Sequence, residues 1–267
     1  MVEMIDFLQK ILRHERLAPL DFYFARFIGQ LEQGGEGLLV LSAGLCMQAT
    51  RQGNVCLALE KLAGTEVFQD NMTGEGGVWL PELAEWLAAL RHSSVVGAPG
   101  EFKPLILDGG NRLYLYRYWD YEQRLAVSIS RRAGLPGQKG EPGVLGDALA
   151  LLFPQDCPWE TDWQRVATAT ALLKRFCIIS GGPGTGKTYT VVKILALLQE
   201  LAAPDFLHIG LTAPTGKAAG RLAESIRQTK KLLFLDPTIA AHIPEAACTI
   251  HRLLGVRQGS PCFRHDK

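Results

Sequence analysis

The sequence predicts an α/β chain in two parts: a mainly helical first domain with one small β-hairpin, and a second domain whose strands and helices alternate on a parallel sheet. Three observations carry this. Apolar residues recur at helical spacing from Met4 to about Leu90; an Asp-Gly pair at 108–109 separates two short apolar runs; and beyond Trp163 short apolar runs alternate with amphipathic stretches. With 267 residues, 47% of them apolar, the chain can fill a sizeable core, which excludes disorder over most of its length.

In chain order, Ile5, Leu8 and Leu12, then Phe24, Phe27, Ile28 and Leu31, mark helices, with breaks at Gly34-Gly35 and from Gly74 to Gly77. Leu105-Ile106-Leu107 and Leu113-Tyr114-Leu115-Tyr116 flank the Asp108-Gly109 turn as a hairpin, and Trp119 to Arg132 resumes a helical pattern. Gly134 to Gly146 keeps a G-X-Y period for four triplets, too few to hold a triple helix, and serves as a connector. The boundaries that follow are a first domain over 1–132, a linker over 133–158 and a second domain over 159–267. In the latter, Trp163 to Lys174 reads as a helix, Phe176 to Ile179 as a buried strand, Thr188 to Leu201 as a helix ending before Pro204, Phe206 to Leu211 as a second strand and Lys217 to Arg227 as a second helix.

The formal charge of +1 hides a polarity: residues 1–160 carry 14 Lys+Arg against 20 Asp+Glu, and residues 161–267 carry 14 against 7. An anionic ligand is expected in the second part. Six cysteines without a C-x-x-C pair argue against a disulfide framework and a zinc site; Cys262 and His265 offer two ligands where a tetrahedral site needs four. Met1 to Asp6 is acidic where a signal peptide is basic, and no apolar run approaches the ~18–20 residues of a membrane span, so a cytoplasmic protein without a membrane partner is expected.

Gly181-Gly182-Pro183-Gly184-Thr185-Gly186-Lys187-Thr188 satisfies G-x-x-x-x-G-K-[ST] between an expected strand and an expected helix. Glycines at 182, 184 and 186 let successive backbone N–H groups face one concavity, and the helix N-terminus adds its dipole. Lys187 supplies a point charge for the β- and γ-phosphates and the Thr188 hydroxyl a ligand for Mg²⁺, which makes ATP and Mg²⁺ the expected cofactors and this pair the expected catalytic residues.

Two further segments complete the pattern: Thr212-Ala213-Pro214-Thr215-Gly216-Lys217-Ala218-Ala219, which opens a basic helix bearing Lys217, Arg221, Arg227, Lys230 and Lys231 against Glu224, and Thr249-Ile250-His251-Arg252-Leu253-Leu254-Gly255. With Trp163-Gln164-Arg165 upstream of the loop, and with Pro104 to Gly110 and Leu113 to Trp119 in the first domain, the chain resembles the RecD helicase family, the alpha subunit of the RecBCD exonuclease (exonuclease V) and a 5′-to-3′ superfamily 1 helicase. The resemblance covers most of the chain and implies a RecA-like motor domain. It further implies that Gln164 reads the adenine edge, with Gly181, Gly182, Pro183, Gly184, Thr185, Gly186, Lys187, Thr188 and Tyr189 forming the rest of the nucleotide site. Pro214, Thr215, Lys217 and His251 would contact single-stranded DNA, at DNA ends, and the acidic first domain would dock on RecB- and RecC-like subunits.

The sequence departs from that family where an Asp-Glu strand should hold Mg²⁺: Leu232 to Asp236 imitates the pattern, but Pro237 replaces the acid and the segment precedes His251. No second motor domain or arginine finger is found, and the first motor sheet is incomplete. The chain therefore reads as the N-terminal part of such a helicase; the alternative is a non-catalytic nucleotide-binding or interaction module. The segments at 213–217 and 249–251 argue against an unrelated P-loop kinase or ATPase.

Overall fold

The computed structural model describes residues 2–13, 17–32, 37–68, 77–135, 146–147, 149–150, 152–153, 161–233, 235–260 and 262–265. The chain divides into two compact units, Met1–Val127 and Ser128–Lys267. Most of the collagen-like stretch and of the connector expected over 133–158 falls outside the described residues.

In the first unit, helices α1 (Val2–Arg13), α2 (Pro19–Leu31) and α3 (Gly37–Arg51) pack around one apolar core. The uninterrupted run Leu39 to Cys46 makes α3 the most buried element, and Gly44 lets it approach α2 closely: a Cβ there would lie 3.4 Å from that of Ala25. Asp21, fully buried, accepts from Ala18 N at 3.0 Å and from Arg51 at 3.1 Å, so the N-terminus of α2 is tied to the C-terminus of α3. Helix α4 (Leu83–His92) contributes Trp86, whose buried Nε1 donates to Ser42 Oγ at 2.7 Å.

Between and beyond these helices run short strands: β1 (Leu57–Ala58), β2 (Glu66–Val67), β3 (Val78–Trp79), β4 (Val96–Gly97), β5 (Leu105–Leu107) and β6 (Arg112–Leu115). Their order in the larger sheet is β1-β6-β5-β4, antiparallel except for β4 on β5, while β2 and β3 pair separately. The expected hairpin is β5-β6, but with a longer turn. Asp108 Oδ1 accepts from Gly110 N and Arg112 N, each at 2.9 Å, and Asn111 rather than a glycine takes the left-handed conformation, at φ 56°. Helix α5 (Tyr116–Gly134) follows with no buried residue.

The second unit contains α6 (Trp163–Leu173), α7 (Lys187–Ala202), α8 (Gly216–Leu232), α9 (Pro237–His242) and α10 (Ile250–Leu254), with strands β7 (Thr212–Ala213) and β8 (Cys248–Thr249). Helix α7 is apolar on two faces: Leu197 meets Leu172, Leu149 and Phe153, whereas Val192 and Ala196 meet Ile226 and Ile243. The parallel pair is β7-β8, in register Thr212↔Cys248 and Ala213↔Thr249.

Two expected strands are corrected. Phe176 to Ile179 is not a strand, and Ile178 is 75% exposed. Phe206 to Leu211 is not a strand, the strand proper beginning at Thr212, although Leu211 O accepts from Cys248 N at 3.0 Å; the buried Gln199 side chain holds the segment, bonding both Leu207 N and Leu207 O.

Candidate nucleotide and nucleic-acid site

The loop before α7 is built for close backbone approach. Gly184 and Gly186 adopt φ 78° and 76°, and a Cβ on Gly181 would lie 2.8 Å from Thr185 Oγ1. Gly186 is the N-cap of α7 and has no side chain to occupy the first N–H groups, so the end of a 16-residue helix opens toward the loop. Lys187 Nζ reaches back to donate to Gly181 O at 2.7 Å and to Gly182 O, and the Thr185 hydroxyl donates to Gly182 O at 3.0 Å. The ammonium therefore lies over the loop that the glycines shape. Pro183 is exposed beside it, and Thr188 is half-buried in the first turn of α7.

Gln164 joins this loop from a distance in sequence. Asp162 caps α6, accepting from Gln164 N at 2.9 Å and Arg165 N at 3.0 Å, and Gln164 Nε2 then donates to Thr185 O at 3.4 Å. The same amide nitrogen would stand 2.6 Å from a Cβ on Gly186, so glycine there leaves room for it. Tyr189 turns its ring toward Lys193, one helical turn further on, with the ammonium 4.7 Å from the ring centre.

The other candidate residues gather at the carboxyl edge of β7-β8. Thr215 caps α8 through Ala218 N at 3.2 Å, and Thr249 caps α10 through Arg252 N at 3.2 Å. Parallel register sets these two helix starts side by side, bringing together Pro214, Thr215 and Lys217 from one segment and His251 from the other, all exposed. The His251 ring meets Phe263 edge-on at 5.8 Å. The basic residues of α8 divide: Arg227 pairs with Glu224 and Glu245, and Lys230 with Glu245 at 2.9 Å. Lys230 is the chief cause of the lowered Glu245 pKa. Lys217, Arg221 and Lys231 make no ion pair among the described residues. Asp236 caps α9 through Thr238 N at 2.7 Å, and that bond leads the group that lowers its pKa.

Sequence reasoning missed Asp162, Lys193 and Gln199. Asp162 was visible as an N-cap residue ahead of Trp163, and the other two as polar interruptions in the apolar α7 pattern.

Residues 13–114 match the family model of the N-terminal domain of RecBCD enzyme subunit RecD, and residues 164–267 match that of an AAA domain. The chain is 34% identical over 288 residues to RecBCD enzyme subunit RecD of Haemophilus influenzae, covering 98% of this chain and 44% of that protein. This chain is a RecD homologue. A second relative, RecBCD enzyme subunit RecD of Mycobacterium tuberculosis, is 36% identical over 257 residues, 92% of this chain and 40% of that one. The ATP-dependent RecD2 DNA helicase of Deinococcus radiodurans is 39% identical over 92 residues, 34% of this chain and 10% of its own length. The RecD homologue thus spans about two fifths of the length of the RecD subunits it matches, and its AAA match begins at Gln164. Among the described residues no helix is long and apolar enough to cross a membrane, and no group of three His, Cys, Asp or Glu could hold a metal ion.

Proposed function

We propose that the chain is the N-terminal part of an ATP-dependent 5′-to-3′ DNA helicase subunit, acting in double-strand-break repair and recombination within a cytoplasmic exonuclease V complex. The observation that carries this reading is the convergence of Gln164, a glycine loop left-handed at Gly184 and Gly186, and Lys187 at an uncapped helix N-terminus.

The cradle fits a nucleoside triphosphate. Loop N–H groups between 181 and 186, of which Pro183 supplies none, and the N-terminus of α7 take the phosphates, and an anion seated there competes with Gly181 O and Gly182 O for the Lys187 ammonium. The Thr188 hydroxyl would hold Mg²⁺, which would supply positive charge against the phosphates. Gln164 reads the adenine edge, and Tyr189 belongs to the same site. Pro214, Thr215, Lys217 and His251 face single-stranded DNA, with Lys217 and Arg221 the cations available for phosphate contacts.

Residues 1–132 are assigned to docking on RecB- and RecC-like subunits, 133–158 to a linker and 159–267 to the first motor domain. The docking role is supported by apolar side chains left on the surface of the first unit. Leu20, Phe27 and Leu31 of α2 are exposed, and a groove of about 490 Å³ is lined by Phe24, Met47, Phe102 and Tyr116, with Phe102 itself 86% exposed. For the isolated chain a second reading, nucleotide binding without turnover, is favoured by Asp236, whose carboxylate is spent on a helix cap.

Titration of the chain with a fluorescent ATP analogue and with labelled oligonucleotide at low salt tests both parts. Lys187→Ala is expected to abolish nucleotide binding. Lys217→Ala is expected to weaken oligonucleotide binding and reduce its salt dependence while leaving nucleotide affinity unchanged. Unchanged nucleotide affinity in Lys187→Ala, or an equal nucleotide defect in Lys217→Ala, would overturn the assignment.

A further inference from the structure

Lys193 lies two turns into α7 and is only 7% exposed. Its Nζ donates to Leu152 O at 2.6 Å and stands 3.9 Å from the ring centre of Phe153 and 4.7 Å from that of Tyr189. A lysine on an apolar helix face ordinarily extends its ammonium to water; this one turns inward. Burial lowers its pKa, and the Asp162 carboxylate pulls it back up. The desolvation cost is offset by the Leu152 carbonyl and two ring faces.

Tyr189 follows Thr188 in the first turn of α7, and Phe153 packs with Leu172 of α6 and Leu197 of α7, with Leu152 and Ala169 beside them; α6 is the helix that carries Gln164. We propose that Lys193 is a positioning residue of the nucleotide site: its ammonium ties the Tyr189 ring to the 152–153 segment packed against α6, holding that helix, and with it Gln164, where it reads the base. This rests on the reading of Gln164 as the adenine contact.

The test compares ATP with inorganic triphosphate, each with Mg²⁺, as competitors of a fluorescent nucleotide on the whole chain. Lys193→Met is expected to weaken ATP about fivefold while triphosphate changes by less than about twofold, and Lys193→Arg to retain most of the ATP affinity. A merely structural lysine would lower the melting temperature without changing the ratio of the two affinities, so an unchanged ratio in Lys193→Met overturns the proposal. Gln164→Ala separates the two levels. If it too leaves the ratio unchanged, base reading itself fails and takes this inference with it; if it shifts the ratio and Lys193→Met does not, only the role of Lys193 fails. Should circular dichroism show Lys193→Met unfolded, Phe153→Leu keeps an apolar side chain in place and removes one ring face from the ammonium. A loss of about twofold confined to ATP is then expected, and no loss overturns the proposal.

Discussion

Replacing Gln199 by leucine tests how the segment leading into β7 is held. The amide is fully buried and makes three bonds: Nε2 donates to Leu207 O and His242 O, each at 2.9 Å, and Oε1 accepts from Leu207 N at 2.8 Å. At about 1 kcal/mol net for each, their loss amounts to about 3 kcal/mol. Leucine buries better than an amide, and Leu207 and His242 are exposed enough for water to satisfy part of what is freed, which leaves about 2 kcal/mol. For a unit of this size that is a fall in melting temperature of about 6–10 °C, read by circular dichroism. Gln199→Glu sharpens the test, because a carboxylate there would face two carbonyl oxygens. Its folded pKa would rise above the unfolded value of about 4.3, so relative stability is retained at low pH and lost as pH rises. Glu is therefore expected to be worse than Leu at pH 8 and closer to the parent at pH 5. A leucine variant melting within about 1 °C of the parent, or a glutamate variant as stable as the parent at pH 8, would refute the idea that this side chain holds the segment.

Gly186→Ala forces a Cβ into a left-handed position, at a cost of about 1–2 kcal/mol, and to within 2.6 Å of Gln164 Nε2. Nucleotide affinity should fall at least as far as in Gln164→Ala, and parental affinity would show that the two do not meet. Burial, chiefly, with Cys56 adding, pushes the Cys46 thiol up to about 12. Iodoacetamide at pH 8 should label exposed Cys262 promptly and Cys46 only on unfolding; early modification of Cys46, mapped by mass spectrometry, would contradict its burial. Glu32 is subject to burial that raises its pKa, but bonds from Ser94, Ser93 and Val95 prevail and lower it. A depressed carboxylate stabilises above its unfolded pKa, and that contribution is lost as pH falls through the folded value. The melting-temperature difference between pH 7 and pH 3 should accordingly be smaller in Glu32→Gln than in the parent, and an equal or larger difference would remove the contribution.

What could be read in the sequence was whatever a few adjacent residues decide among themselves. The glycine loop, the helix it opens and the helix starts at Thr215 and Thr249 all have causes within about four residues: absent Cβ atoms, a side-chain oxygen for the next turn, an apolar stripe. Strands are decided elsewhere. Phe176 to Ile179 has the composition of a buried strand, but a ladder needs a second backbone, which a run of four residues does not specify, and Ile178 faces solvent. Cys248–Thr249 has no visible pattern in two residues, yet it is a strand because Thr212–Ala213 lies beside it. That pair matters most to the site, since its parallel register is what sets Lys217 and His251 on one edge. Lys193 and Gln199 were hidden for a related reason. On a helical wheel each interrupts an apolar face, and only the carbonyls that meet them, Leu152 O and Leu207 O, turn the interruption into a tether. Polar residues inside an apolar period are therefore the places where sequence reasoning about this chain should expect a long-range partner. Both tethers hold segments tied to elements that carry candidate site residues: Leu152 lies against α6, which bears Gln164, and Leu207 leads into β7 and so to Pro214 and Thr215.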